Sequence, residues 1–129
     1  MDKKWIFTGI ILLFTGIILG AFGAHSLKLI LKEFPEKVIS FDSGVKYQIY
    51  SGFSFLIIAS LKDKLSSSLN SVYWTMLIGT IFFSLSIYLL SIQPIISLKL
   101  SFLGPITPIG GLFLITSWAI LFVKYLRTK

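Results

Sequence analysis

His25 is the only histidine in the chain, and it is the side chain best suited to proton transfer near neutral pH. The carboxylates of Glu33, Glu36 and Asp42 follow it in the same connecting segment. Glu33 or Asp42 could approach His25 and form an acid–base pair, which would suit a membrane enzyme acting on lipid or quinone. The simpler interpretation, which we prefer, is an interfacial histidine satisfied by backbone groups and carboxylates that are solvated.

Cysteine is absent from the 129 residues, which excludes disulfides, thiolate nucleophiles and cysteine metal sites. Transition-metal sites made by one chain usually need several imidazole or thiolate ligands, and this chain offers a single imidazole. We therefore expect no metal, no cofactor and no catalytic residue.

A second group of residues could form hydrogen bonds at one end of the predicted helices. Its members are His25, Tyr47, Gln48, Tyr50, Ser84, Tyr88, Thr107, Gly110 and Gly111. Backbone amides near Gly110 and Gly111, at a helix N-terminus, could bind an anion or a carbonyl group. The functional interpretation is a small polar pocket that opens to one membrane face. The structural interpretation, which we favour, is that these side chains cap helices and that the tyrosines form an interfacial belt.

The composition indicates the elements that position these residues. Hydrophobic residues make up 55% of the chain and charged residues 13%, so the expected solvent is lipid. A bilayer core about 30 Å thick needs about 20 apolar residues in a helix. The sequence predicts an all-α fold, a single domain over residues 1–129, with a four-transmembrane-helix bundle and a short amphipathic segment between helices 1 and 2. The predicted helices cover about 5–24, 45–61, 72–92 and 101–123.

The connection after the first predicted helix repeats apolar residues at helical spacing, at Leu27, Ile30, Leu31 and Phe34. Lysines lie between them, and Pro35 ends the pattern. This pattern predicts a short amphipathic helix in the headgroup region. The alternative is a mobile gate or a partner-binding arm.

Two further patterns concern packing. The small residues Gly9, Gly16, Gly20 and Gly23 fall on one stripe of the first helix, which predicts close packing inside the bundle or, alternatively, a dimer face. In the fourth helix, Thr107 is predicted as the N-cap and Pro108 as the first helical residue. Such a helix would be about 24 Å long, so part of that crossing should be kinked or non-helical.

The net charge of +7 reflects eleven lysines and one arginine that lie mostly outside the apolar runs, where they meet lipid headgroups. We therefore do not expect nucleic-acid binding. Seven of the twelve basic residues lie on the side of the termini and five on the other. This distribution favours cytoplasmic termini. The location that we expect is the plasma membrane.

Several motifs occur in order along nearly the whole chain: GAFGAH at 20–25, YQIY at 47–50, FSLSIYLL at 83–90, TPIGG at 107–111, and Trp118. This set resembles the membrane proteins grouped as domain of unknown function 423, whose eukaryotic relatives are called transmembrane protein 256. The resemblance implies a four-helix inner-membrane protein without an established activity. It also implies a histidine directly after the YQIY motif, where this chain has Ser51. A metal or proton-relay site that needs a histidine pair is therefore not supported.

Three functions follow in order of preference. The first is a non-catalytic membrane protein that assembles with itself or binds another membrane component. The second is an oligomeric transporter or channel for small molecules or ions, although no acidic or basic residue lies well inside a predicted span. The third is a membrane enzyme that uses His25. The expected partners are the lipid bilayer and either a second copy of the chain or another membrane protein.

Overall fold

The computed structural model describes residues 3–129, and in this range the chain forms helices and turns without a strand. The four long helices are α1 (Lys3–Ile30), α2 (Pro35–Leu61), α3 (Asn70–Ser91) and α4 (Ile106–Leu126). Shorter helical turns cover Lys62–Lys64, Gln93–Ile96 and Ser101–Leu103. The predicted all-α fold class is confirmed.

Each long helix could reach across a bilayer by its length, because at about 1.5 Å per residue all four measure about 30 Å or more. Three helices are also apolar enough to cross a membrane: Lys3–Ile30, Asn70–Ser91 and Ser101–Leu126. Helix α2 is not among them. Its sequence carries polar residues at Asp42, Lys46 and Gln48.

Glycines bring α1 close to α2. A side-chain carbon at Gly9 would lie 2.9 Å from the carbonyl oxygen of Gly52, and one at Gly52 would lie 3.2 Å from that of Gly9. Further along α1, three more glycines meet successive residues of α2 in reverse order: Gly16 meets Ile49, Gly20 meets Val45 and Gly23 meets Phe41. The two helices are therefore antiparallel, and the glycine stripe of α1 lies against α2.

The contact between α3 and α4 is also made through glycines. A side-chain carbon at Gly79 would lie 3.0 Å from the carbonyl oxygen of Gly110, and one at Gly110 would overlap the backbone nitrogen of Phe83. Opposite Gly110, α3 contains the π-helical turn Ile81–Leu85. A π turn holds more residues than an α turn and widens the helix, and Gly110 packs against this turn.

Two apolar clusters lie toward opposite ends of the helices. At the end that holds the N-terminus of α1, the rings of Trp5, Phe55 and Tyr73 meet with centroid distances between 5.1 and 5.4 Å. Tilted and edge-to-face rings of this kind attract each other beyond their burial. The other cluster contains Leu27, Leu31, Phe41, Val45 and Tyr88. The polar residues described below lie between these clusters.

The predicted amphipathic helix between helices 1 and 2 is wrong. Helix α1 continues to Ile30 through a second π-helical turn, Gly23–Leu27, and α2 begins at Pro35. Proline suits the first position of a helix because its φ is already helical and its missing N–H would have no partner there. Leu27 and Leu31 are buried in protein and not in headgroups.

The predicted helix 72–92 nearly coincides with α3, whereas 5–24 and 45–61 cover only part of α1 and α2. The predicted start of the fourth helix is also wrong. Helix α4 begins at Ile106 after Pro105, whose φ of −68° is already helical, and the Thr107 side chain makes no capping hydrogen bond. With 21 residues, α4 is long enough to reach across a bilayer core without a kinked or non-helical part.

The neighbouring glycines of α4 allow a test of the α3–α4 contact. We expect Gly110→Ala to lower stability by about 1–3 kcal/mol, because the added methyl group meets α3 backbone that cannot move aside. Gly111→Ala should leave stability nearly unchanged, since its methyl group would lie 3.9 Å from the Phe83 ring. The thermal unfolding midpoint in mild detergent measures both. Equal midpoints for the two variants would contradict this contact.

Candidate functional site

The buried side chain of Gln48 connects three helices. It lies in α2, and its Nε2 donates hydrogen bonds to Thr15 Oγ1 at 2.7 Å and to the Leu12 carbonyl oxygen at 3.0 Å, both on α1. Its Oε1 accepts a hydrogen bond of 2.6 Å from the Tyr88 hydroxyl on α3. Gln48 is 5% exposed, and both ends of its amide are occupied.

Ser84 adds a second link between α2 and α3. Its hydroxyl donates a hydrogen bond of 2.8 Å to the Gly44 carbonyl oxygen. Gly44 has no side chain at the point where the Tyr88 ring crosses α2, and a carbon there would lie 2.8 Å from that ring. We call Thr15, Gln48, Ser84 and Tyr88 the central polar cluster. Inside a membrane, hydrogen bonds of this kind hold helices together because lipid offers no alternative partners.

Helices α3 and α4 share one hydrogen bond between side chains. Ser86 Oγ and Thr107 Oγ1 are 2.6 Å apart. The backbone amides near Gly110 do not provide the expected anion-binding site. Gly110 lies in the second turn of α4 and packs against Gly79 and Phe83. This part of the predicted site therefore holds two helices together.

A groove runs between α2 and α4, with a volume of about 430 Å³. We call it the α2–α4 groove. Its lining residues are Tyr47, Tyr50, Ser51, Ser54, Phe83, Gly111, Leu114, Ile115 and Trp118. The Tyr47 ring contacts those of Phe83 and Tyr50, at centroid distances of 4.9 and 5.6 Å. The groove is therefore largely aromatic, with hydroxyl groups on its α2 side.

Ser51 differs from the other serines of α2. It is 6% exposed and lines the groove, yet within residues 3–129 its hydroxyl has no hydrogen-bond partner. The other four each donate to a backbone carbonyl of the preceding helical turn: Ser40, Ser43, Ser54 and Ser60. The Ser51 hydroxyl is therefore free to bond to a ligand in the groove, whereas that of Ser54 already donates to the Tyr50 carbonyl oxygen.

His25 lies apart from both groups of residues. It is exposed, in the π-helical turn at the end of α1, and among the described residues it forms no hydrogen bond or ion pair. Asp42 instead forms an ion pair of 3.1 Å with Lys46. The proposed acid–base pair of His25 and Asp42 is therefore not formed. Residues 3–129 also hold no group of three His, Asp or Glu side chains suited to a metal ion.

The predicted site residues thus divide into separate sets. Gln48, Ser84 and Tyr88 belong to the central polar cluster, and Thr107 and Gly110 to the α3–α4 contact. The remaining three, apart from His25, line the α2–α4 groove: Tyr47, Tyr50 and Gly111. Sequence reasoning did not include Ser51, Phe83 and Trp118 as site residues. For Ser51 the sequence did offer a signal, because this residue directly follows the YQIY motif and so lies next to two predicted site tyrosines.

Long apolar helices joined by buried hydrogen bonds define an α-helical membrane protein. A family model described as a protein of unknown function, DUF423, matches residues 19–111. The chain belongs to this family, as its motifs indicated.

Relatives of known name support the same assignment. The UPF0382 membrane protein YwdK of Bacillus subtilis (strain 168) is 38% identical over 130 residues, covering 96% of this chain and 99% of the relative. The UPF0382 membrane protein SH2409 of Staphylococcus haemolyticus is 34% identical, covering 95% and 94%. A UPF0382 membrane protein of Staphylococcus epidermidis is 32% identical, covering 97% of each. No solved structure matches the chain significantly.

Two buried serines of α3 test the role of the central polar cluster. We expect Ser84→Ala to destabilise the protein by about 1 kcal/mol, because it removes the hydrogen bond to Gly44. Ser91→Ala should be neutral or slightly stabilising, since the buried Ser91 Oγ has no partner among residues 3–129. Unfolding midpoints in detergent measure both variants. If Ser91→Ala lowers the unfolding midpoint as much as Ser84→Ala does, these roles are contradicted.

Proposed function

We propose that this protein is a four-span integral protein of the plasma membrane with a non-catalytic role, and that it binds another membrane component in the α2–α4 groove. The observation that supports this proposal most directly is that Ser51, a residue of the groove lining, has a hydroxyl without a hydrogen-bond partner within residues 3–129. The α2–α4 groove lies beside lipid-facing residues such as Ile115, which is 66% exposed. A ligand would therefore enter sideways from the bilayer.

The fourth span in this proposal is α2. This helix has eight buried residues, whereas α4 has two, because α2 packs against both α1 and α3. Gln48, which lowers its hydropathy, directs its amide to these two neighbours and away from lipid. Lys46 is the twelfth of the 27 residues of α2, is exposed and is paired with Asp42. At about 40 Å, α2 is longer than a bilayer core of about 30 Å, so the long side chain of Lys46 can extend toward the membrane surface.

Binding accounts for the arrangement of polar residues better than transport, catalysis or self-assembly. The central polar cluster uses its hydrogen bonds within the protein, and the cavity beside it has no charged residue in its lining. Carriers coupled to ions usually keep such a charge. The glycine stripe of α1 is occupied by α2, so it does not provide a dimer face.

The topology can be measured by cysteine labelling, because the chain has no native cysteine. The four-span arrangement with cytoplasmic termini predicts that Lys28→Cys and Lys99→Cys react with a membrane-impermeant maleimide in intact cells. Ser67→Cys and Thr128→Cys should react only after the membrane is permeabilised. Labelling of Lys28→Cys and Lys99→Cys from opposite sides would contradict four spans.

Photocrosslinking in cells tests binding in the groove. A benzophenone side chain at position 115, which lines the groove, should give a discrete adduct with a membrane component. The same group at Leu112 is the matched control, since Leu112 is 63% exposed on the same helix and lies outside the groove lining. It should give only adducts with bulk phospholipid. Identical products at both positions would reject a binding role for the groove.

A further inference from the structure

We infer that the ligand of the α2–α4 groove is a neutral, membrane-soluble molecule with a flat ring and carbonyl acceptors, the chemistry of a quinone headgroup. This inference rests on the proposed function, and it specifies the chemical class that the groove would bind.

The first argument concerns charge. The nine residues that line the groove are all uncharged. A charged headgroup placed there would lose its hydration without gaining an opposite charge, which is strongly unfavourable in an apolar environment. Phospholipid headgroups and ions are therefore poor ligands for the groove, and a neutral molecule fits it better.

The second argument concerns hydrogen bonds. Ser51, Tyr47 and Tyr50 each bring a hydroxyl to the lining of the groove, and Trp118 brings an indole N–H. In the part of the chain that the structure describes, none of these four polar groups has a hydrogen-bond partner. A pure hydrocarbon in the groove would leave the Ser51 hydroxyl unpaired and would also shield it from any other partner. A ligand with carbonyl oxygens would accept hydrogen bonds from this group of donors, so the ligand should carry acceptors.

The third argument concerns shape. The rings of Tyr47 and Phe83 form one wall of the groove, and Gly111 faces Phe83 without a side chain of its own. Aromatic rings favour other flat rings in offset or edge-to-face contact. The volume of about 430 Å³ is within the usual range for small-molecule sites. It accommodates a ring of one or two cycles, and an attached apolar tail would continue into lipid beside Ile115.

Tryptophan fluorescence provides a direct measurement with the purified full-length chain in lipid nanodiscs. The probe is a 1,4-naphthoquinone that carries one isoprenoid unit, since quinones quench nearby indoles. We expect saturable quenching in the native chain and in Trp74→Phe. Most of the saturable component should disappear in Trp118→Phe. The two tryptophans are matched controls because they are 50% and 49% exposed. Linear quenching that is equal in both variants would indicate partition into lipid and overturn the inference.

Ser51→Ala tests the hydrogen bond. It should raise the dissociation constant of the naphthoquinone about tenfold, the effect of losing one buried hydrogen bond. Ser60→Ala is the matched control on the same helix, because Ser60 donates to the Ile57 carbonyl oxygen and lies outside the groove lining. It should leave the constant unchanged. An unchanged constant in Ser51→Ala would overturn the assigned role of the hydroxyl.

Comparison of ligands separates this inference from the proposed function. A prenylated naphthalene, which has the ring but no carbonyl groups, should bind at least about tenfold more weakly than the quinone. Diacylglycerol should fail to displace the quinone. If naphthalene binds as tightly as the quinone, or if diacylglycerol displaces it, the ligand class is wrong. A discrete adduct at position 115 would then still support the groove as a binding site, whereas no adduct and no saturable binding would reject both.

Discussion

The amide of Gln48 is the interaction on which the arrangement of the helices most depends. Gln48 is 5% exposed, so its amide is enclosed by protein and needs partners within it. Its two ends bind α1 and α3, so α2 must lie between these helices. The close approach of α1 makes the bond to Leu12 feasible, and the missing side chain of Gly16 allows this approach because its Cα faces the Gln48 amide.

The position of α4 follows from this arrangement. With α1 and α3 bound to α2, the fourth helix packs mainly on α3, through the contact of Gly79 with Gly110 and the hydrogen bond of Ser86 with Thr107. The Tyr47 ring of α2 contacts Phe83 of α3, and both residues line the α2–α4 groove. The α2–α4 groove is therefore a consequence of how the helices pair: α2 packs on α1 and α3, and α4 packs mainly on α3.

Hydropathy was sufficient to predict the all-α fold and the position of α3, because apolar runs of this length have few other solutions. It failed at the ends of α1 and α2, where burial of Leu27 and Leu31 depends on contacts with a distant part of the chain. For the site, chain direction predicted only that these residues gather at one end of the helices, whereas the structure shows the particular contacts of Gln48 with Tyr88 and of Ser86 with Thr107. It could not tell which side of each helix a residue faces. The rotation of each helix about its own axis separates the groove residues from the central polar cluster and leaves His25 outside both.

The π-helical turn of α3 connects the cluster to the groove. It contains both Phe83, which forms a wall of the groove, and Ser84, which binds the Gly44 carbonyl oxygen. Neighbouring residues of an α-helix point about 100° apart, and successive side chains of the π turn also point in different directions, so that Phe83 and Ser84 reach different sides of α2. The same turn packs against Gly110 of α4. The backbone of this one turn therefore links the groove wall to the hydrogen bond of Ser84 and to the packing of α4.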